Sequence, residues 1–76
     1  MSVGAPVLLY TRPGCPYCDA ERAALAGGGV RWCEVDLSAR PDAIPELLKL
    51  TGGRRIVPVI VEGARVKVAP AGGTPF

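Results

Sequence analysis

The chain has 76 residues, a net charge of +2 at neutral pH, and a composition that is 49% hydrophobic and 21% charged. This length suffices for one small domain, so we expect a single domain over residues 1–76. The sequence lacks an apolar run of the ~18 residues that span a bilayer and a signal peptide's basic start, which predicts no membrane contact and a cytoplasmic protein. The charge is too small, and the basic residues too scattered, to predict nucleic-acid binding.

The first half of the chain predicts a strand, a helix and a second strand. The apolar run at residues 7–10 is typical of a buried strand and is followed by turn-forming residues. Pro16 suits the first turn of a helix over residues 16–26, which the three following glycines end. Side chains at residues 30–36 alternate between two faces, which indicates a strand.

The second half predicts a helix followed by a β-hairpin. Apolar side chains recur at helical spacing over residues 42–51, with Pro45 in the first turn. Residues 56–61 and 66–68 are rich in β-branched side chains and are separated by a short loop. Residues 69–76 show no period. The order β-α-β-α-β-β predicts an α/β fold with a mixed four-stranded sheet, in which a parallel βαβ unit is followed by an antiparallel hairpin.

Two cysteines lie at the predicted junction of the first strand and first helix. If the helix begins at Pro16, Cys15 is its N-cap, and Cys18 lies on the same face within disulfide reach. The free N–H groups and the helix dipole favour a thiolate at Cys15, and Arg12 adds positive charge upstream. We therefore predict Cys15 as the nucleophile of disulfide exchange and Cys18 as the resolving thiol.

Other uses of the thiols stay open at this point. Three cysteines are an odd number, which fits poorly with a secreted disulfide scaffold. The Cys15–Cys18 pair could serve as small core side chains. It could also belong to a zinc site; zinc usually takes four ligands, and the sequence has three cysteines and no histidine, so a second chain would have to complete that site. We interpret Cys33 as a half-buried strand thiol, with a third redox partner as the alternative.

Nearly the whole chain, from residue 7 to residue 68, resembles the glutaredoxin family. The likeness rests on YTRPGCPYC at residues 10–18, on VDL at residues 35–37, on GGRRIVP at residues 52–58 and on the EG of the hairpin. The resemblance implies a truncated thioredoxin-like fold whose last helix is absent. It also implies a thiol-disulfide oxidoreductase in which Cys15 attacks and Cys18 resolves.

The resemblance further implies a substrate groove beside the cysteines. Its expected substrate-binding residues are Arg12, Tyr17, Arg54, Arg55, Val57 and Pro58. Pro58 matches the family's cis-proline, and Val57 supplies the backbone that pairs with the cysteinyl part of glutathione. Arg54 or Arg55 would lie near the glycyl carboxylate. Ordinary roles stay open for these residues: solvated loop arginines, a tyrosine packed on the helix surface, and a trans proline at a strand edge.

The resemblance weakens after the hairpin. The family continues with Gly-Gly, a small polar residue and Asp at the start of a last helix that binds glutathione. Here Gly72-Gly73-Thr74 arrives late, Pro75 replaces the acidic residue, and the chain then ends. We therefore expect both the glutathione clamp and the third helix to be missing. Apolar sheet surface should then stay exposed, and we predict a homodimer that covers it.

The missing clamp widens the choice of partners. Disulfide-containing proteins or glutathione mixed disulfides are the expected substrates, with glutathione as co-substrate. A thioredoxin-reductase-type flavoenzyme is the alternative electron source. We expect no tightly bound cofactor and no metal. The second class of function is an iron–sulfur carrier module in which Cys15 of two subunits holds a cluster with glutathione.

Overall fold

A computed structural model describes residues 7–76. The prediction that the chain has no signal peptide concerns in part residues 1–6, which lie outside the described residues. The elements in chain order are β1 (Val7–Thr11), α1 (Pro16–Gly27), β2 (Trp32–Asp36), a 3-10 turn (Pro41–Ala43), α2 (Ile44–Thr51), β3 (Ile56–Val57), β4 (Val59–Glu62), β5 (Arg65–Val68) and β6 (Thr74–Pro75). None of the helices in this part of the chain has the length and apolar character needed to cross a membrane.

The main sheet has four strands in the order β2-β1-β4-β5. β1 pairs in parallel with β2, and the other two pairings are antiparallel. The crossover through α1 joins the parallel strands, whereas a turn of two residues joins β4 to β5. The thioredoxin-like α/β fold with a mixed four-stranded sheet, which the resemblance implied, is therefore confirmed.

The two faces of this sheet bury different side chains, because successive residues of a strand point to opposite faces. On one face Val7, Leu9 and Ile60 form a buried cluster against which Leu25 of α1 packs. On the other face, Leu47 of α2 is fully buried in a second, larger cluster. Each helix thus covers one face of the sheet.

Two predicted elements have different bounds in the structure. The strand predicted at residues 56–61 is divided at Pro58 into β3 and β4, because the Val57–Pro58 peptide bond is cis and turns the chain. α2 begins at Ile44 rather than at residue 42, because Pro41–Ala43 form a 3-10 turn before it. Pro45 lies in the first turn of α2, where its missing N–H costs no helical hydrogen bond.

Residues 69–76 are not the irregular segment that the sequence predicted. Thr74–Pro75 form β6, which pairs antiparallel with β3 in a second sheet of two strands. A strand of two residues has too few side chains to show a period of two, so local patterning could not reveal it.

The predicted exposed apolar sheet surface is wrong for the described residues. Large exposed hydrophobic side chains there are limited to Tyr17 and Val66. On the face that α1 covers, Ile60 is 3% exposed, and its partner on β5 is the charged Lys67. The homodimer stays a prediction, without the apolar surface that motivated it.

Candidate active site

The first turn of α1 holds Cys15 and Cys18 together. Cys15 is the N-cap, with extended backbone at φ −101° and ψ 105°, and its Sγ accepts a hydrogen bond from the Cys18 N–H at 3.2 Å. Pro16 follows at the start of the helix, so the backbone turns from strand to helix at the place the sequence predicts. The sulfur of Cys15 thus satisfies an N–H that has no partner within the helix.

The environment drives the two thiols toward opposite protonation states. Burial raises the pKa of Cys15, but hydrogen bonds from the side chains of Cys18 and Thr74 and from the backbone of Cys18 and Tyr17 outweigh it, so the pKa is lowered overall. Burial, and then the hydrogen bond to Cys15, raise the pKa of Cys18 to about 12. These opposite shifts favour the thiolate form at Cys15 over the thiolate form at Cys18.

Both cysteines are free thiols, and both are enclosed by the fold. Cys15 is 2% exposed, and Cys18 is completely buried. Access from solvent to the Cys15 sulfur is therefore restricted in this conformation.

β3 and the cis-proline form one wall of the site. The carbonyl oxygen of Val57 lies 3.9 Å from Cys15 Sγ, and Val57 is fully buried. The carbonyl of Pro58 accepts a hydrogen bond from the Ala69 N–H at 2.8 Å, which fixes the chain behind the proline. The structure therefore places Val57 beside Cys15, with Pro58 next in the chain, and the part of both residues in substrate binding stays a prediction.

Three of the predicted groove residues contact the chain's own residues 72–76. The Arg12 guanidinium donates to the carbonyl of Pro75 at 2.9 Å. Arg55 Nε donates to the carbonyl of Phe76 at 3.1 Å, and the guanidinium lies 4.8 Å from the centre of the Phe76 ring. The Tyr17 ring packs so closely on the backbone of Gly72 that a Cβ there would lie 2.7 Å from it. Residues 72–76 thus engage Arg12, Tyr17 and Arg55, whose part in substrate binding stays a prediction.

Two other predicted residues lie apart from this arrangement. The Arg54 side chain makes no hydrogen bond or ion pair within residues 7–76; its backbone carbonyl accepts from Thr51 Oγ1 at 2.7 Å. Cys33 is exposed rather than half-buried, because β2 is an edge strand of the main sheet. Among the described residues, no three His, Cys, Asp or Glu side chains converge as metal ligands.

Sequence reasoning missed the polar cluster that fixes α1 against the sheet. Glu34 of β2 accepts hydrogen bonds from Thr11 Oγ1 at 3.1 Å and from Arg22 Nε at 2.8 Å, and Arg22 also pairs with Asp19 of α1. The hydrogen bond from Arg22 is the main cause that lowers the pKa of Glu34 to about 2. Arg22 and Glu34 lie twelve positions apart on different elements, so no local pattern indicates their pairing.

Thr74 is the second site residue that sequence reasoning missed. It lies opposite Val57 in the β3–β6 pairing, and its side chain contributes to the lowered pKa of Cys15. The preceding Gly72-Gly73 mark a place where backbone approaches other groups closely, which is the one signal available in the sequence.

Comparison with known proteins agrees with this architecture. The family model described as Glutaredoxin matches residues 7–66. The Gene 56 protein of Mycobacterium phage L5 is 37% identical over 57 residues, which are 75% of this chain and 54% of that protein. Two proteins named Glutaredoxin, from Neisseria meningitidis serogroups A and B, are each 34% identical over 56 residues, 72% of this chain and 66% of theirs. The chain thus spans about half to two thirds of the length of these curated relatives.

Proposed function

Because the chain belongs to the glutaredoxin family, we propose that it is a thiol-disulfide oxidoreductase that reduces protein disulfides or glutathione mixed disulfides through Cys15 and Cys18. The opposite pKa shifts of the two thiols at the start of α1 carry this proposal. The lowered pKa favours attack by Cys15, and the raised pKa keeps Cys18 protonated until the mixed disulfide has formed.

The first step is attack by the Cys15 thiolate on one sulfur of the substrate disulfide. A bond forms between Cys15 Sγ and that sulfur, the substrate's S–S bond breaks, and the second substrate sulfur leaves as a thiolate that takes a proton from water. The hydrogen bond from the Cys18 N–H stabilises the attacking sulfur before this step.

The second step releases the substrate. Cys18 loses its proton to water and attacks Cys15 Sγ, so that the Cys15–Cys18 disulfide forms and the remaining substrate sulfur leaves as a thiolate, which takes up a proton from water. Once Cys15 is in a mixed disulfide it carries no charge and no longer accepts a hydrogen bond as a thiolate, which removes one cause of the raised Cys18 pKa. The substrate has gained two electrons, and the dithiol has lost two.

The oxidised pair must then regain two electrons from a reductant. Two molecules of glutathione supply them by the reverse exchange and leave as glutathione disulfide, or a thioredoxin-reductase-type flavoenzyme supplies them from its own dithiol. No metal or tightly bound cofactor takes part in either route that we propose. Comparing turnover with glutathione and glutathione reductase against turnover with thioredoxin reductase separates the two electron sources.

Serine variants of the three cysteines test the proposed roles. We expect Cys15→Ser to lower reduction of both insulin and a glutathionylated peptide by about 10³-fold or more, because the nucleophile is lost. Cys18→Ser should lose insulin reduction but still accept glutathione from the peptide, because that exchange can finish with a second glutathione. Cys33→Ser is the matched control and should leave both rates unchanged. Wild-type rates in Cys15→Ser would contradict the proposal.

A further inference from the structure

Residues 72–76 lie along the edge of β3 that faces Cys15. Val57 is paired with Thr74 and Ile56 with Pro75, so the backbone next to the nucleophile already has an extended partner. Arg12 and Arg55 hold the carbonyls of Pro75 and Phe76. The segment therefore occupies the backbone edge and two cationic side chains that a peptide-like substrate would use.

The pattern of hydrogen bonds shows that this segment binds β3 as a strand. The N–H of Phe76 donates to the carbonyl of Arg55 at 3.3 Å. In an antiparallel pair hydrogen-bonded positions alternate, so Val57 and Thr74 are the next bonded position, and Ile56 and Pro75 are the non-bonded position between them. Pro75 thus stands at the position where its missing N–H costs no ladder hydrogen bond.

The contacts of Gly73 show how closely the segment is fitted. A Cβ built on Gly73 would lie 2.6 Å from the carbonyl oxygen of Val57 and 2.7 Å from Cγ1 of Ile56. Backbone this near β3 leaves no room for a second strand on the same edge. A substrate backbone and residues 74–76 are therefore mutually exclusive at Val57.

We propose that residues 74–76 act as an internal competitor that determines which disulfides reach Cys15; this inference rests on the proposed function. Substrates that need to pair with Val57, such as glutathione mixed disulfides of peptides, must first displace the segment. Small disulfides without a peptide backbone need no such pairing and are not discriminated against.

The proposal requires that a substrate can displace the segment, and the small size of its pairing with β3 supports this. It forms a sheet of two strands with two paired positions, and isolated two-stranded pairings are marginal in water. Because it belongs to the same chain, it competes at an effective concentration on the order of millimolar. Substrates that pair with Val57 then bind only those molecules in which the edge of β3 is free. Their apparent affinity is the intrinsic affinity multiplied by the fraction of such molecules.

Two displacing variants, each with a matched control, test this competition in the full chain. Gly73→Ala forces the segment away from β3, whereas Gly27→Ala at the end of α1 meets open space. Thr74→Pro removes the N–H of the bonded position, whereas Thr74→Val keeps that N–H and loses the same hydroxyl. The Thr74 pair therefore separates strand pairing from the effect of the hydroxyl on Cys15.

Two measurements report on displacement and on selectivity. Hydrogen exchange of the Val57 amide follows release of the segment without any substrate. Single-turnover formation of the Cys15–Cys18 disulfide, with a glutathionylated peptide or with bis(2-hydroxyethyl) disulfide as oxidant, follows reactivity. We expect both displacing variants to speed Val57 exchange and to raise the peptide rate roughly 3- to 10-fold over their controls, with the small disulfide changed less than about 2-fold.

Other outcomes overturn the inference. A Val57 amide that is unprotected in the unmodified protein shows that the segment does not hold the edge. Faster Val57 exchange with an unchanged or lower peptide rate shows that the segment does not compete. Absence of reaction with both disulfides in every variant defeats the proposed function itself, and this inference with it. Reaction with the small disulfide, without selective gain for the peptide, defeats only the inference.

Discussion

The two helices cover opposite faces of one sheet, yet they are held in different ways. The N-cap of α1 is Cys15, whose sulfur accepts a hydrogen bond from the Cys18 N–H, and Arg22 in the second turn of α1 pairs with Glu34 of β2. The N-cap of α2 is Ala43, which provides no side-chain cap, and within residues 7–76 no ion pair joins α2 to another element. What holds α2 is the complete burial of Leu47.

This difference follows from what each helix must do. α2 needs only to cover apolar sheet surface. Burial of one large apolar side chain such as Leu47 contributes about 1.5–3 kcal/mol to the free energy of folding and requires no charged contact. α1 must keep a sulfur at a defined distance from backbone donors and from Val57. Polar contacts have the directionality for that task, so the helix with the reactive thiol is the one held by them.

The largest effect that separates the two helices is expected at Glu34. Glu34→Gln removes the charge that Arg22 faces, and we expect the free energy of unfolding to fall by about 1–2 kcal/mol at pH 7, because solvent screens a pair that is about one third exposed. Glu46→Gln on α2 is the matched control, expected to stay within about 0.5 kcal/mol. Urea unfolding of both variants measures the difference.

The pH dependence of the Glu34 effect has a definite sign. Folding lowers the pKa of Glu34 to about 2, from an ordinary value near 4.3. The stabilisation is therefore complete above the unfolded value and is lost as the pH falls toward about 2. The gap between Glu34→Gln and the unmodified protein should shrink over this range, and a constant gap would show that the carboxylate charge is not its source.

A smaller effect is expected at the start of α1, in the reactivity of Cys15. In a Cys33→Ser background, the alkylation rate of Cys15 should rise with pH about a midpoint below the ordinary thiol value near 8.5. Adding Cys18→Ala removes the side-chain donor but keeps the backbone N–H, so the midpoint should move up by about one unit and the rate at neutral pH should fall several-fold.

Identification of the alkylated peptide by mass spectrometry keeps this measurement specific. Cys18, with its pKa raised to about 12, should stay unmodified throughout the range. A midpoint that does not move on removal of the Cys18 thiol would mean that the backbone and Thr74 alone activate Cys15. A midpoint at or above 8.5 in both proteins would show that the start of α1 does not activate its cysteine.

Much of the fold was predictable because its signals are local. Pro16 and the glycines after residue 26 mark the ends of α1, and the turn residues between β4 and β5 mark the hairpin. The placement of Cys15 as N-cap follows from the same signals. A proline is favoured at the first position of a helix, so the residue before Pro16 is expected at the N-cap position.

The remainder depends on contacts between distant residues. The pairing of Thr74 with Val57 joins positions seventeen residues apart and involves a strand of two residues, which has no recognisable period. The Arg22–Glu34 pair likewise forms only once α1 has docked on β2. Exposure of Cys33 depends on the order of strands in the sheet, which alternation within β2 does not determine.

The smallest expected effect compares the ends of the two helices. The C-cap of α1 is Gly28 with φ −86°, which any residue adopts, whereas the C-cap of α2 is Gly52 in the left-handed region with φ 70°. Gly52→Ala should therefore destabilise the protein by about 1 kcal/mol although a Cβ there meets open space, and Gly28→Ala should be neutral or slightly stabilising. Thermal unfolding of the two variants checks this. Equal loss of stability in both variants would mean that α1 also needs the glycine at its C-cap. The two helices would then differ at their N-termini but not at their C-termini.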